Sequence, residues 1–180
     1  MKLSTAGAGS DKDVVAVPTE DNLPPMDRVQ ALIDGATSLE AYQGWGATLF
    51  TEHVKPIPGT AKPHGSVVFS FTVQPEHTNR LGNLHGGCTA TIFDFATTCA
   101  LAPIARPGFW AYAGVSRTLN VTYLRPVPEG EEVLIECDVV HAGKRLCTLK
   151  GVMKRKRDGA VMAICEHGKA SIDPDVNSRL

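Results

Sequence analysis

The most regular pattern of apolar and polar residues lies between residues 66 and 74. Val67, Phe69, Phe71 and Val73 occupy every second position, and mostly serine and threonine stand between them. Because successive side chains of a strand point to opposite faces, this alternation predicts a β-strand with one buried face. The polar segment PEHTNRLGN that follows predicts a turn.

Two weaker patterns precede this strand. Pro24 and Pro25 lead into the segment MDRVQALIDGA, whose apolar residues recur at helical spacing, so a helix is predicted over residues 26–36. Residues 45–54 predict a first strand, which Pro56 and Pro58 would end.

A change of period marks residues 85–104, HGGCTATIFDFATTCALAPI. Apolar residues occur on nearly every side of the helix that this segment predicts, and Pro103 closes it. A helix this apolar is expected to be buried on most of its faces. The two glycines at its start, Gly86 and Gly87, suit a close approach of another group to the backbone.

Four further strands are predicted after this helix, over residues 111–124, 132–141, 146–154 and 160–171. Proline and glycine residues separate them, and Asp158-Gly159 predicts a hairpin turn between the last two. The order of helix, two strands, one apolar helix and four strands predicts an α+β domain in which an antiparallel sheet wraps around the central helix.

Length and charge narrow the function. A chain of 180 residues fits one domain, predicted over residues 23–172 between a disordered leader at 1–22 and a short tail at 173–180. With 18 Lys+Arg against 19 Asp+Glu, the net charge is −1. No global basic field for nucleic acid exists, so an anionic ligand needs a local cluster.

Targeting signals are sparse. Charged residues interrupt every apolar run, so no membrane span is predicted, and the first residues lack a signal-peptide core or the Arg-rich character of a mitochondrial transit peptide. Ser178-Arg179-Leu180 resembles the peroxisomal address S-K-L, although a chance tripeptide is the alternative. The peroxisome or the cytoplasm is therefore expected.

The cysteine and histidine residues predict neither disulfides nor a metal site. The five cysteines include no C-x-x-C pair. This favours a reducing compartment, in which the cysteines would serve as small core residues. The histidines show no metal-ligand spacing. We expect no metal and no separate cofactor.

The chemistry concentrates around Asp94 and the helix start. Asp94 stands between apolar residues, where a carboxylate is costly unless it is used or satisfied; a solvent-facing gap or a hydrogen bond to a neighbouring strand is the alternative. The first N–H groups of the helix, at His85-Gly86-Gly87, have no intrahelical partner and carry partial positive charge. They could stabilise an oxyanion, although a glycine-rich packing turn has the same sequence.

The spacing of these two features predicts an oligomer. Asp94 lies eight residues beyond Gly86, about 12 Å along the same helix. That distance is too long for Asp94 to act on a carbonyl bound at its own helix start. A site that uses both features needs the second helix from another subunit, and a two-fold dimer supplies it.

Several separated blocks resemble the hotdog-fold acyl-CoA thioesterases, in particular the mammalian acyl-CoA thioesterase 13 type and the bacterial phenylacetate-degradation group. The blocks are His77-Thr78-Asn79, Leu84-His85-Gly86-Gly87 with Asp94, Gly114-Val115-Ser116, and Asn120-Val121-Thr122-Tyr123. Their order and spacing agree from about residue 45 to about residue 171. The resemblance implies a hotdog fold and a homodimer or a homotetramer built from two dimers.

The resemblance also implies roles for individual residues. Asp94 would be the nucleophile or the general base that activates water, and the Gly86 N–H would polarise the thioester carbonyl. Asn79 and His85 would orient the thioester, and Ser116 would position the water or Asp94 of the partner subunit.

Coenzyme A, as part of the acyl-CoA substrate, would contact Tyr123 and the turn Gly143-Lys144-Arg145, whose cations suit phosphate oxygens; a solvated hairpin turn is the alternative for Lys144 and Arg145. The rings of Phe93 and Phe95 depart from the smaller or polar residues frequent in the family, so the resemblance does not imply which acyl group is bound.

An acyl thioester dehydratase or hydratase and a non-catalytic acyl-CoA binding protein are the competing functions.

Overall fold

The structure, a computed structural model, describes residues 16–17, 23–37 and 44–174, and its centre is a six-stranded antiparallel sheet. In this part of the chain the helices are α1 (Pro25–Thr37) and α2 (Gly86–Cys99), and the strands are β1 (Lys55–Pro56), β2 (Ser66–Thr72), β3 (Val115–Tyr123), β4 (Glu132–Ala142), β5 (Leu146–Arg155) and β6 (Val161–Ala170). The strand order across the sheet is β1-β2-β4-β5-β6-β3. The predicted α+β architecture and hotdog fold are confirmed.

Helix α2 lies against the concave face of this sheet, where it contacts β3, β4, β5 and β6. Phe93 is fully buried on that side. A Cβ placed at Gly151 of β5 would come within 2.6 Å of the Phe93 ring, so the missing side chain at Gly151 is what leaves room for it. The alternating residues of β2, including the fully buried Phe69, face the same core as predicted.

The predicted strand over residues 45–54 is wrong. Leu49–His53 forms a π-helical turn instead, and β1 is limited to two residues after it. Gly46 turns the chain at a φ of +75°, and both Leu49 and Phe50 then face inward: Leu49 is buried, and Phe50 stacks on Phe95 with 3.9 Å between ring centroids. A strand would send these neighbours to opposite faces, whereas a helical turn puts both against α2.

Strand β3 begins later than predicted because the residues before it are not extended. Trp110, Ala113 and Gly114 all have φ between +54° and +64°, and they form a loop. From Val115 onward β3 is the outer strand of the sheet, paired with β6 on one side, and most of its residues are exposed on both faces. A nine-residue edge strand with open hydrogen-bonding groups is a ready surface for another strand.

Some predictions fall largely outside the described residues. These are the disordered leader, of which residues 16–17 are described, and the tripeptide Ser178-Arg179-Leu180. In residues 16–17, Val17 is buried and its N–H donates to the carbonyl of Ala111 at 2.7 Å. By length and composition alone the segment Gly86–Ile104 could cross a membrane, but 56% of its 18-residue apolar window is buried in the fold, as in the core helix of a folded domain.

Candidate active site

Asp94 occupies the middle of α2 and points towards the edge of the sheet. Its side chain is 49% exposed in the single chain and accepts a hydrogen bond from the neighbouring strand β3, which are the two alternatives that the sequence left open. The hydroxyl of Ser116 on β3 donates to Asp94 Oδ1 at 2.6 Å. The carboxylate is therefore fixed in direction by one strong hydrogen bond while its other edge stays open to a ligand.

A bulge in β3 is what brings Ser116 to this face. Leu119, Val121 and Tyr123 lie on the helix side of the sheet, and strict alternation would place Ser116 on the other side, since it is seven residues before Tyr123. The pairing with β6 shifts between Ser116 and Thr118, which leaves Arg117 as the extra residue. In the single chain Ser116 donates to Asp94 of its own chain, and its implied role in positioning the water or Asp94 of the partner subunit stays a prediction.

His167 extends this pair into a chain of hydrogen bonds. Its side chain is completely buried, with Nε2 at 2.9 Å from Ser116 Oγ and at 3.3 Å from Asp94 Oδ1. Nδ1 lies 2.7 Å from the hydroxyl of Thr97, which donates its own hydrogen to the carbonyl of Phe93. Nδ1 must then be the protonated nitrogen, and Nε2 is left as an acceptor facing Ser116.

A buried lysine, Lys169, contacts the cluster on the side of Ser116. Lys169 is 4% exposed, and its Nζ donates to Thr98 Oγ1 at 3.0 Å and approaches Ser116 Oγ at 3.5 Å. Burial lowers the pKa of Lys169, and the negative charge of Asp94 opposes that shift. Burial and the positive charge of Lys169 lower the pKa of His167 to about 4, so the imidazole is neutral at pH 7.

His167 and Lys169 are not among the site residues predicted from the sequence. A signal existed, because Ala163, Cys165, His167 and Lys169 alternate along β6 and all are buried. Two ionisable residues on the apolar side of a strand are costly without partners. Such residues at buried positions of a strand are candidates for a functional site.

The start of α2 forms the second part of the site. His85 caps the helix, and its Nδ1 accepts the N–H of Gly87 at 3.0 Å, so Nε2 of this ring carries a hydrogen. Tyr123 donates its hydroxyl to the carbonyl of Gly86 at 2.8 Å. Gly86 is the first helical residue, where a backbone N–H has no carbonyl one turn earlier to bind.

Asn79 adjoins the same cleft as Gly86 and Tyr123, which has a volume of about 430 Å³. Its Oδ1 accepts the backbone N–H groups of Leu81 at 2.9 Å and Asn83 at 3.3 Å. These bonds orient the amide, and its NH₂ group, which can only donate, is directed to the other side.

The two parts of the site lie in separate clefts of one chain. Asp94 and Ser116 line a cleft of about 440 Å³ together with Trp45, whereas Gly86 and Asn79 line the other. The structure thus agrees with the spacing argument that Asp94 cannot reach its own helix start.

The residues expected to bind coenzyme A are also far apart in one chain. Strand β6 pairs with both β3 and β5, so it measures the separation. Tyr123 pairs with Ala163 of β6, and the turn at residues 143–145 lies beside Ala170 at the other end of β6. Seven residues of strand correspond to roughly 23 Å. Lys144 and Arg145 line a surface cleft that also contains Asp173, and the Gly143 carbonyl accepts Trp110 Nε1 at 2.9 Å.

Thiol and metal chemistry fit the described residues poorly. Burial raises the pKa of Cys88 to about 11 and of Cys99 to about 12, so neither is a ready thiolate. His53, Glu76 and His77 have ligand atoms within 4.8 Å of one another. However, Nδ1 of His77 accepts the N–H of Gln74, so its Nε2 carries the hydrogen and lacks the lone pair that a cation needs.

Comparisons with known proteins agree with this fold. The family described as Thioesterase superfamily matches residues 81–165. Acyl-coenzyme A thioesterase 13 from Homo sapiens is 37% identical over 105 residues, which cover 58% of this chain and 72% of that protein. The chain belongs to the thioesterase superfamily. The mouse protein of the same name is 36% identical over 103 residues, covering 57% of this chain and 71% of that protein.

Solved structures support the same membership in the thioesterase superfamily. The zebra fish thioesterase superfamily member 2 is 28% identical, covers 82% of this chain and 99% of its own, and has a TM-score of 0.68. The E. coli PaaI protein of the phenylacetic acid degradation operon shares the fold, with a TM-score of 0.59, 18% identity, and coverage of 82% of this chain and 92% of its own. The resemblance stated from the sequence motifs is therefore confirmed.

The neutral, buried state of His167 makes stability depend on pH. In the unfolded chain this histidine has the ordinary pKa of 6.5, against about 4 in the fold. Between pH 6.5 and pH 4 the unfolded state binds a proton that the folded state excludes. The neutral His167 therefore contributes fully to stability above pH 6.5, and this contribution declines as the pH falls towards 4.

We therefore expect the free energy of unfolding to fall more steeply between pH 7.5 and 4.5 in the wild type than in His167→Gln. Urea denaturation followed by circular dichroism measures this slope. The exposed His64, changed to glutamine, is the control and is expected to keep the wild-type slope. Equal slopes for wild type and His167→Gln would contradict the assignment.

Proposed function

We propose that this protein hydrolyses acyl-CoA thioesters to a free acid and coenzyme A, with Asp94 as the general base. The observation that carries the proposal is the hydrogen-bonded chain from Asp94 through Ser116 to the buried His167. The names of the relatives as acyl-coenzyme A thioesterases support the substrate class.

The chain from Asp94 to His167 can rearrange its hydrogens when Asp94 takes a proton. Ser116 has one hydroxyl hydrogen and two acceptors, Asp94 Oδ1 and His167 Nε2. If Asp94 takes a proton from water, its protonated oxygen donates to Ser116, and Ser116 donates to His167. Both contacts are then complete hydrogen bonds, so the chain keeps its hydrogen bonds when Asp94 holds the proton from water.

In the proposed reaction, the water oxygen attacks the thioester carbonyl as Asp94 removes its proton. The carbonyl oxygen becomes an oxyanion, and the backbone N–H of Gly86 stabilises it, with the amide of Asn79 and Nε2–H of His85 as further donors. The intermediate then breaks its carbon–sulfur bond, and the coenzyme A thiolate leaves and takes up the proton. The products are the acid and the free thiol.

We propose that each site is shared between two subunits that join at β3. Antiparallel pairing of two β3 strands about their midpoint would place the Ser116 end of one strand beside Tyr123 of the partner subunit. Since Tyr123 binds the helix start at Gly86, Asp94 and the partner subunit's Gly86 would then face one cleft. The open edge and exposed faces of β3 support this pairing.

The same two-fold symmetry accounts for the separated coenzyme contacts. The Val115 end of β3 is level with the start of β5, next to the turn of residues 143–145. Pairing at β3 would bring Tyr123 of the partner subunit to this end of the sheet. Lys144 and Arg145 would then offer positive charge to the phosphates of a coenzyme bound across the interface.

A panel of acyl-CoAs tests the proposal with the purified full chain. We expect release of free thiol, measured with a colorimetric thiol reagent, and a particle of at least dimeric mass by light scattering. Hydration of an enoyl-CoA without thiol release would instead support a hydratase, and binding without turnover would support an acyl-CoA binding protein. An active monomer would contradict the shared site.

Peroxisomal delivery through Ser178-Arg179-Leu180 stays a prediction, as does assembly of two dimers into a tetramer. The dimer is the smallest assembly that completes the proposed site.

A further inference from the structure

Trp45 is a large, solvent-exposed apolar side chain beside Asp94. Its indole is 81% exposed, whereas the second tryptophan, Trp110, is completely buried. The indole Nε1 donates to Thr91 Oγ1 at 3.1 Å. Thr91 precedes Asp94 by three residues on α2, so the hydrogen bond holds the ring on the same face of the helix as the carboxylate.

Two further rings continue this apolar surface. Phe50 and Phe95 stack nearly parallel, with ring centroids 3.9 Å apart and planes inclined by 15°, and Phe95 immediately follows Asp94. The cleft of Asp94 and Ser116 is lined by all three aromatic residues. One side of the cleft therefore carries the polar groups, and the other side is aromatic.

This division matches the two halves of an acyl thioester. The reacting carbonyl needs the polar groups, and an apolar acyl group gains free energy by leaving water for a hydrophobic wall. An exposed indole beside a polar cleft is also the surface that such a ligand would cover, since aromatic rings offer a large contact area at little loss of conformational freedom.

We propose that Trp45, together with Phe50 and Phe95, forms the wall that binds an apolar acyl group and selects medium- and long-chain acyl-CoAs over acetyl-CoA. The inference rests on the proposed function and adds the class of acyl group to it. Trp45 is the determinant that substitution can test, because Phe50 and Phe95 also pack against the core.

The test compares kcat/KM of wild type, Trp45→Ala and Trp45→Phe for acetyl-, hexanoyl-, dodecanoyl- and phenylacetyl-CoA. We expect Trp45→Ala to lower kcat/KM for dodecanoyl-CoA by about tenfold to a hundredfold, with acetyl-CoA changed by less than about twofold. Trp45→Phe keeps part of the apolar surface, so its kcat/KM for dodecanoyl-CoA should lie between those of the wild type and Trp45→Ala. Val140→Ala, which removes an exposed apolar side chain on β4, is the matched control.

Four results would overturn the inference. An equal loss for every acyl group would show that Trp45 supports the fold, and no loss for any acyl group would show that it does not contact the substrate. Loss of the oligomer in Trp45→Ala, measured by light scattering, would show that the ring serves the subunit interface. A preference confined to phenylacetyl-CoA would replace chain binding with recognition of an aromatic acyl group.

A binding measurement separates this inference from the proposed hydrolysis. A dodecyl thioether of coenzyme A, which cannot be hydrolysed, should shift the fluorescence of the exposed Trp45 to shorter wavelength. The Trp45→Phe variant, which retains the buried Trp110, should show no shift. If the wild type releases no thiol but shows this shift, the proposed hydrolysis is wrong, whereas binding of the acyl group by the wall of Trp45, Phe50 and Phe95 is supported. Absence of the shift in the wild type overturns the wall.

Discussion

The variant Asp94→Asn is expected to hydrolyse acyl-CoA about a thousandfold more slowly than the wild type, because an amide cannot take a proton from water. Asparagine has the size of aspartate, and its Oδ1 can still accept the Ser116 hydroxyl that lies at 2.6 Å in the wild type. The substitution therefore removes the base while keeping the packing around it. Substrate binding should change much less than kcat.

Steady-state thiol release at several acyl-CoA concentrations measures this effect. Asp138→Asn is the matched control, because Asp138 is an exposed carboxylate on β4 that pairs across the sheet with Ser66 and Lys150. It should retain wild-type kcat. If Asp94→Asn kept more than about a tenth of the wild-type kcat, general-base catalysis by this residue would be excluded.

The second large effect concerns Gly86 and the shared site. Gly86→Pro removes the backbone N–H that is proposed to stabilise the oxyanion, and we expect it to lower kcat by about a hundredfold to a thousandfold. Proline is well tolerated at the first position of a helix. The preceding residue, His85, already has φ of −64° and ψ of 134°, a conformation that proline allows before it.

Gly86→Ala is the control for this substitution because it keeps the N–H. Its new Cβ would lie 3.4 Å from the ring of Tyr123, an ordinary contact, and we expect activity within about threefold of the wild type. Equal losses in the alanine and proline variants would point to steric disturbance of the cleft and against an oxyanion donor.

Mixing the two inactive variants is the decisive experiment for the interface. Each heterodimer of Asp94→Asn with Gly86→Pro would contain one site with both defects and one site with neither. After free exchange of equal amounts, half of the dimers are mixed, so about a quarter of the wild-type activity should return. Heterodimers isolated with two affinity tags should show about half.

No recovery in isolated heterodimers would mean that Asp94 and Gly86 act from the same chain. As a control, the double variant carrying both substitutions should restore nothing when it is mixed with either single variant, because every site that forms then lacks at least one of the two groups. Light scattering on the same samples verifies that exchange and assembly took place.

Local patterns predicted much of the fold. The period of two in β2, the apolar run of α2 and the hairpin at Asp158-Gly159 all report on neighbours within a few residues. Prediction failed at residues 45–54, where the apolar residues look like a strand by composition. The stacking of Phe50 on Phe95, 45 residues later, decides that conformation, and no local pattern contains that contact.

The candidate site divides in the same way. Asp94 and Gly86 were predicted as site residues because they stand on one helix at a fixed spacing, and Asn79 and Ser116 because they belong to the motifs that carry the family resemblance. The apolar sequence neighbours of Asp94 left open whether its carboxylate is buried or exposed, and in the structure the helix turns the carboxylate towards the sheet edge, where it is half exposed in one chain. Its exposure depends on which elements cover that face.

The sequence by itself determined the helix, the strand alternation and the eight-residue separation of Gly86 and Asp94 from which a second subunit is predicted, because each follows from the geometry of a single element. The tertiary structure alone decided that His167 and Lys169 stand behind Ser116, and that Trp45 stands beside Asp94. These contacts join residues 46 to 53 positions apart. They depend on the register of β3 against β6, on the bulge at Arg117 and on how the chain before β1 packs on α2. The period of one strand shows which side chains share a face, but it does not show which residues of another element they meet.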